Sequence, residues 1–438
     1  MNNADWKQIY KERCVSVEEA VSHIKSGDKI MDGHGCGRSD IFHEALMKRA
    51  EAGEIKNVKL DTGWNMGKAD YLDPKYDGKL NHTTTFLTPQ TKKAFYEGRA
   101  IFSPVAFSQQ DRAVRNYWKP EVLFTQVTPP NENGYVSMGI SVDYTRTCVD
   151  VAKLVIAQVN PNMPWTNGDG VIHVSEIDYF VEQTTDIPVV PEASIISDTD
   201  RAIADHVASI IKDGDTLQIG VGNVPDTVLG LMVNHKHLGI HTELGTTGIM
   251  KLMQKGVIDN SMKTLDQGKV VCTLMGGTKE FYDFVDHNQD FEMRRCSYVL
   301  NPSVIAQQKN MVSVNAAVEV DLFGQACSEM IGGKQISGIG GQLDFLRGAM
   351  LSEGGRSILC MPSTAAKGTR SRIVAGLSRG TIVTDSRYDT MYIVTEYGIA
   401  DLWAKSMNER AKALINIAHP QFREQLEREF YEMTGFMV

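Results

Sequence analysis

The chain contains a copy of one of its own segments, and this repeat limits its fold more than any other feature. Ile24–Gly35, IKSGDKIMDGHG, aligns without a gap on Ile211–Gly222, IKDGDTLQIGVG, with Ile, Lys, Gly, Asp, Gly and Gly identical at matched positions. A helix-like stretch precedes each copy (VEEAVSH and AIADHVAS) and another follows (DIFHEALMKRA and DTVLGLMV). A fainter echo relates Val171–Glu182 to Tyr392–Trp403. Self-similarity of this kind predicts two units of like topology. At 438 residues the chain also exceeds what one hydrophobic core usually serves. The proline-containing stretch Asp186–Asp200 has loop chemistry and predicts the boundary, giving an N-terminal domain over 1–190 and a C-terminal domain over 191–438.

Short continuous apolar runs (EVLFTQV, KLVIAQV, TLQIGV, VVCTLM, SILCMP and TIVTDS) alternate with helical stretches. That alternation is what parallel sheets covered on both faces require. The expected fold is therefore α/β: two tandem, related domains with open, mostly parallel sheets. The tail QFREQLEREFYEMTGF reads as an amphipathic packing helix.

Composition narrows the function. With 42% hydrophobic and 23% charged residues and a net charge of -9, the chain reads as an ordinary soluble protein and not as a nucleic-acid or membrane-surface binder. No apolar run nears the ~20 residues that span a bilayer, and the first residues lack a signal-peptide core, so the expected compartment is the cytoplasm. Seven scattered cysteines form no C-x-x-C pair and read as reduced and mostly buried. His235, His237 and His241 straddle a loop and a strand, so no metal site is expected from them.

The second copy of the repeat carries the chemistry. After the strand TLQI, Gly220 and Gly222 allow a tight turn, and the backbone N–H groups that follow open a helix, which favours an anion. Pro225 suits the first turn of that helix. Glu243 ends the next strand, about 20 residues on, where a ribose-binding acid of a dinucleotide site would stand. Pro225, however, occupies the place of the third glycine of G-x-G-x-x-G. Three readings of the turn remain: a dinucleotide site, an oxyanion site with Glu243 as nucleophile, or a plain strand–helix joint with Glu243 a solvated carboxylate.

A further glycine-rich loop, KQISGIGGQLDFLRGA (Lys334–Ala349), brings in a resemblance. Together with GVGNVPD, LGIHTE, TEYGIADL and ALINIAHPQFREQL, and with PPNENGYVSMGISVDYT and IHVSEID in the first half, it resembles the acetyl-CoA hydrolase/transferase family over nearly the whole chain. The likeness is greatest to the 4-hydroxybutyrate and butyryl-CoA:acetate CoA-transferase branch. It implies two related α/β domains and a nucleophilic glutamate at Glu243. It also implies contacts to coenzyme A from Gly220, Val221, Gly222, Asn223 and Val224, from Gly341, and from Val318 and Lys367.

The implied partners are an acyl-CoA and a carboxylate such as acetate. Coenzyme A is then a substrate and a transient covalent adduct, with no tightly bound cofactor and no metal, and a homo-oligomer is expected. ELGTTGIM after Glu243 departs from the branch, which continues with Ser-Asp-Gly. So do the loops HGCGRSDIF, TGWNMGKADY and VAFSQQDRAV, expected to line the acyl pocket, which leaves the acyl group open. The alternatives are an acyl-CoA hydrolase using the same glutamate, an NAD-dependent dehydrogenase, and an inactive ligand-binding protein. Glu396, in TEYG, is the other acid of comparable setting.

Overall fold

The computed structural model describes residues 5–192, 196–220 and 222–438. The chain forms two compact units. Unit 1 takes the chain as far as Val190, with Gly245–Thr247 and Val271–Val299; unit 2 takes Pro191–Leu244, Gly248–Val270 and Leu300–Val438. Where the sequence suggests one cut, the chain beyond 190 returns twice to unit 1.

Unit 1 is built on seven strands: β1 (Lys29–Asp32), β2 (Val58–Thr62), β3 (Leu80–Thr84), β4 (Ala100–Phe102), β5 (Val122–Val127), β6 (Leu154–Val159) and β7 (Tyr179–Glu182). They lie in the order β7-β6-β5-β1-β2-β3-β4, every pair parallel. The interior strand β5 is buried along its whole length, which is why its sequence is unbroken by alternation. Helix α1 (Asp40–Glu51) turns Ile41, Phe42, Ala45, Leu46 and Ala50 inward, one stripe at helical spacing, onto a core with Ile30, Leu60 and Phe124.

Unit 2 has six strands: β8 (Thr216–Ile219), β9 (Gly239–Ile240), β10 (Met311–Ala316), β11 (Arg356–Cys360), β12 (Tyr392–Thr395) and β13 (Gly398–Asp401). Their order is β9-β8-β10-β11-β12-β13, parallel except that β13 returns antiparallel on β12. Helix α2 (Asp198–Ile210) precedes β8, and α3 (Asn223–Leu231) follows it.

The sequence repeat is a structural one, in register. β1 and β8 fall on matched positions of the two copies. Each is followed by a glycine whose N–H reaches the neighbouring strand: Gly33 to the Phe124 carbonyl at 2.8 Å, Gly220 to the Val314 carbonyl at 3.0 Å. The order β7-β6-β5-β1-β2 in unit 1 recurs as β12-β11-β10-β8-β9 in unit 2. The fainter echo aligns the wrong strand. β12 corresponds to β7, whereas Val171–His173 pairs with Tyr135–Ser137 outside the main sheet.

One expected strand is absent. Thr381–Ser386 runs as a loop with Ile382 and Val383 exposed, and only Asp385 forms a single bridge, to Ala326. The place beside β11 is taken by β12, whose Ile393 and Val394 are fully buried. No helix among the described residues is long and apolar enough to cross a membrane. The seven cysteines are free, six of them buried and Cys14 half-buried.

A buried ion pair ties the entry of β8 to β11. The Arg356 guanidinium donates to Asp215 Oδ1 at 2.6 Å and to the Ile210 carbonyl at 2.8 Å, and the Lys212 N–H donates to Asp215 Oδ2 at 2.6 Å. Burial still holds the Asp215 carboxyl above its ordinary range, against the pull of these partners. A carboxyl raised in the folded state loses its contribution to stability as pH rises through its folded value. Without Arg356 the unmatched carboxylate is worse placed at neutral pH than in acid, where it can take up a proton. Arg356→Met should therefore lower unfolding free energy by about 3–5 kcal/mol at about pH 8 and by clearly less at about pH 5. Chemical denaturation at the two pH values checks this; equal losses would count against an electrostatic origin.

Candidate active site

The sequence-derived candidates lie in unit 2, at the carboxyl ends of its parallel strands. This is the edge of an open α/β sheet where the chain turns into helices and crevices form. β8 is buried at all four residues and releases the chain at Gly220. Gly222 has φ 125° and ψ 180°, a backbone that residues with a side chain rarely adopt, although a Cβ there would meet nothing within 4 Å. The constraint is thus conformational, and it lets Gly222 cap α3, with its carbonyl accepting from the Asp226 N–H at 3.0 Å. Asn223 and Val224 form the first turn of α3, and the Thr227 hydroxyl donates to the Asn223 carbonyl at 2.7 Å. Val221 lies outside the described residues.

Glu243 is delivered to the same edge by β9. Beyond Ile240 the chain stays beside β8: the His241 N–H donates to the Leu217 carbonyl at 3.0 Å and the Thr242 hydroxyl to the Ile219 carbonyl at 3.4 Å. Glu243 follows, half-buried, between the buried Thr242 and Leu244. Its Oε2 accepts the Gly341 N–H at 2.9 Å. Gly341 is the N-cap of helix α4 (Gln342–Leu351), so the carboxylate meets the positive end of a helix. The approach leaves no room for a side chain. A Cβ on Gly341 would stand 2.4 Å from Glu243 Oε2 and 2.0 Å from Leu300 Cδ2. Helix α4 is fixed in turn by Phe345, Leu346 and Ala349, all buried.

The other candidates lie at the same sheet edge by topology, with their observed contacts elsewhere. Val318 follows β10, half-buried, and its N–H donates to the Cys327 carbonyl at 2.8 Å. Lys367 follows β11, exposed, with a left-handed φ of 57° in the turn of a short hairpin between Thr364–Ala365 and Arg370–Ser371. Glu396 follows β12 and is held by Ser363, whose N–H donates to it at 2.8 Å and whose hydroxyl donates at 2.6 Å. Its carboxylate is thus tied to the β11 loop.

Two polar groupings escape a reading of the sequence. Beneath the Gly220 turn, Gln218 on β8 and Ser313 and Asn315 on β10 bond one another at 2.7–3.1 Å, all buried. At the head of α4, Gln342 bonds Ser328 and Asp385. Alternate positions on adjacent strands, or loops far apart in sequence, bring these residues together, so no local motif announces them. His235, His237 and His241 part company. His235 Nε2 lies 3.2 Å from the Ile211 carbonyl, His237 pairs with Asp259 at 2.8 Å, and the buried His241 packs edge-on to Phe345. Among the described residues no group of three His, Cys, Asp or Glu is placed to hold a metal ion.

The matching edge of unit 1 is filled from within that unit. His34 Nε2 accepts the Trp64 N–H at 2.6 Å, and a Cβ on Gly63 would stand 2.5 Å from the same nitrogen. The cavity that Thr62, Gly63, Thr84 and Tyr144 help to line is about 10 Å³, the room of one water. In unit 1 the carboxylate at a helix N-terminus beside these loops is Asp143, which is fully buried, whereas Glu243 is only half-buried.

Comparison with known proteins identifies the family to which the chain belongs. The N-terminal domain model of the acetyl-CoA hydrolase/transferase family matches residues 1–191, and its C-terminal domain model matches 277–430. The chain is 45% identical over 427 residues to a protein of Clostridium kluyveri named 4-hydroxybutyrate coenzyme A transferase, covering 97% of this chain and 99% of that one. It is 34% identical over 438 residues to a butyryl-CoA:acetate CoA-transferase of Anaerostipes caccae, covering 97% of each. Among solved structures, RipA from Yersinia pestis superposes with a TM-score of 0.92 at 34% identity, over 99% of this chain and 100% of that one. A parallel two-unit α/β fold, family models across both halves and relatives of this identity and coverage establish that the chain belongs to the acetyl-CoA hydrolase/transferase family.

Proposed function

We propose that the protein transfers coenzyme A from a short- or medium-chain acyl-CoA to a free carboxylate such as acetate, with Glu243 as the nucleophile. The observation that carries this reading is the Gly341 N–H on Glu243 Oε2, at a point where the helix end admits no side chain. The names of the C. kluyveri and A. caccae relatives support transfer over hydrolysis.

The steps follow from the carboxylate. Glu243 attacks the thioester carbonyl carbon, the C–S bond breaks, and coenzyme A leaves as a thiolate from an acyl–glutamyl anhydride. The thiolate then attacks the glutamyl carbonyl carbon. The acyl group departs as a carboxylate, leaving a glutamyl–CoA thioester. An incoming carboxylate attacks that thioester and runs the sequence backwards, restoring the Glu243 carboxylate. No proton or electron is consumed, and each reactive bond is exchanged for another of similar energy. In two of the four additions the negative charge develops on a Glu243 oxygen. The Gly341 N–H, already hydrogen-bonded to that carboxylate, is then placed to stabilise it, a kind of interaction worth roughly 3–4 kcal/mol. On this reading the N-terminus of α3, capped by Gly222, serves the substrate side, and transfer demands that water be kept from the anhydride.

Glu243→Gln keeps the shape and removes the charge, so activity should fall by several orders of magnitude, on the order of 10⁴-fold or more. Incubating the unmodified enzyme with butyryl-CoA and no acceptor should leave coenzyme A on the peptide holding Glu243, reducible there by borohydride. A label on Glu396 instead would refute the assignment, and so would a fully active Glu243→Gln protein. Coenzyme A release that is indifferent to added acetate would make the protein a hydrolase.

Gly341→Ala tests the helix end. The added carbon displaces the carboxylate, so kcat should drop about 10²-fold or more while KM for the acyl-CoA changes little. Steady-state kinetics with butyryl-CoA and acetate measure both; a normal kcat would show that the close approach of Gly341 to Glu243 does not matter to the chemistry.

A further inference from the structure

Helix α4, whose N-cap Gly341 presents its N–H to Glu243, is itself held by a buried carboxyl group. Asp385 sits in the loop Thr381–Ser386 and is fully buried. Its backbone is pinned by two bonds to Ala326, at 3.0 and 3.1 Å. Its Oδ2 accepts Gln342 Nε2 at 2.5 Å and the Ser328 hydroxyl at 3.4 Å, and Gln342 Nε2 also donates to Ser328 Oγ at 2.6 Å. Both donors of the Gln342 amide are thus spent on this pair. Oδ1 of Asp385 is buried without a hydrogen-bond partner. Gln342 is the first residue of α4 and the next after Gly341. One continuous path therefore runs from Asp385 through the Gln342 side chain to the Gly341 N–H and on to Glu243.

A buried carboxyl with an unmatched oxygen is costly to keep, and an apolar side chain would fill the place more cheaply. We propose that Asp385 is a positioning residue for Glu243, its carboxylate gripping the Gln342 amide and so fixing the first turn of α4 with the Gly341 N–H aimed at Oε2. This rests on the reading of Glu243 as the nucleophile.

The grip depends on charge. An ionised carboxylate only accepts hydrogen bonds, and its bond to an amide is roughly twice as strong as that of a neutral acid. Burial pushes the Asp385 carboxyl up to about 7; the bonds from Gln342 and Ser328 oppose the rise, and Asp389 and Glu329 add to it. Those two neighbours are themselves engaged, Asp389 by Arg347 at 2.9 and 3.0 Å, and Glu329 by Thr384 and Gln335 at 3.2 and 2.7 Å. The gripping form of Asp385 therefore prevails only above about pH 7, and kcat should fall as pH drops through that value.

The experiment compares kcat against pH for the wild-type enzyme, Asp385→Asn, Gln342→Met and the double variant, with butyryl-CoA and acetate. Asn can still offer an oxygen to Gln342 but cannot ionise. Asp385→Asn should lose the limb near neutrality and, at about pH 8, about fivefold in kcat, with KM for butyryl-CoA within about twofold of normal. Gln342→Met, which leaves Asp385 in place, should show the same loss, and the double variant should lose no more than either single one. A normal kcat and pH profile in Asp385→Asn, or losses that add in the double variant, would overturn the proposal. If Asp385→Asn does not fold, an unchanged limb in Gln342→Met overturns it equally. Trapping of coenzyme A on Glu243 separates the two readings. With the adduct formed in the wild type and Asp385→Asn unaffected, only the positioning role fails; with no adduct in the wild type, the nucleophile and its positioning residue fail together.

Discussion

A parallel strand flanked on both sides and covered on both faces has no free surface along its length, so whatever it offers to chemistry must come at its end. In unit 2 that rule acts through bonds to backbone carbonyls. The Gly220 N–H continues the pairing of β8 with β10 one residue past the strand, and His241 and Thr242 continue the pairing of β9 with β8. The chain is held to the sheet until the last position and then freed at two adjacent points, one a glycine turn and one a glutamate. The helix end at Gly341 meets that glutamate from outside the sheet. Each part of the candidate site depends on where the sheet stops.

Much of the fold was legible in the sequence because the relevant signals are local. A strand buried from end to end, such as β5 or β8, must be apolar or neutral throughout, and a repeated strand–turn–helix keeps its glycines wherever the turn recurs. Thr381–Ser386 misled for the same reason. Ile382 and Val383 have strand character, but β12 supplies a better partner for β11, and tertiary pairing overrides local preference. The return of residues 245–247 and 271–299 to unit 1 was not legible, since nothing in a short run of residues states which sheet it will join.

The candidate site divides along the same line. The Gly220 turn and Glu243 stand in one stretch of chain and could be singled out by spacing alone. Gly341 was accessible only through resemblance, because its closeness to Glu243 spans nearly a hundred positions and is visible only as a distance. The Gln218–Ser313–Asn315 group and the Asp385–Gln342 pair left no trace, as each joins segments whose neighbourhood the fold alone creates. Sequence patterns report periodicity and turns; polar pairings across a sheet or between distant loops obey neither.

Gly222 and Gly341 resist replacement for unlike reasons, and the difference bears on how such a site can drift. At Gly222 the obstacle is backbone torsion: a side chain would meet open space, but at φ 125° the backbone is one that L residues rarely adopt. A lineage could escape by rebuilding the turn, with no effect on the carboxylate beyond it. At Gly341 the obstacle is volume, set by Glu243 and Leu300 together. No local rebuilding helps there, because any side chain must push against the glutamate, against Leu300, or move α4 whole. A Gly341 substitution tolerated in some descendant would therefore signal that its glutamate had moved or lost its task, whereas one at Gly222 would say nothing of the kind.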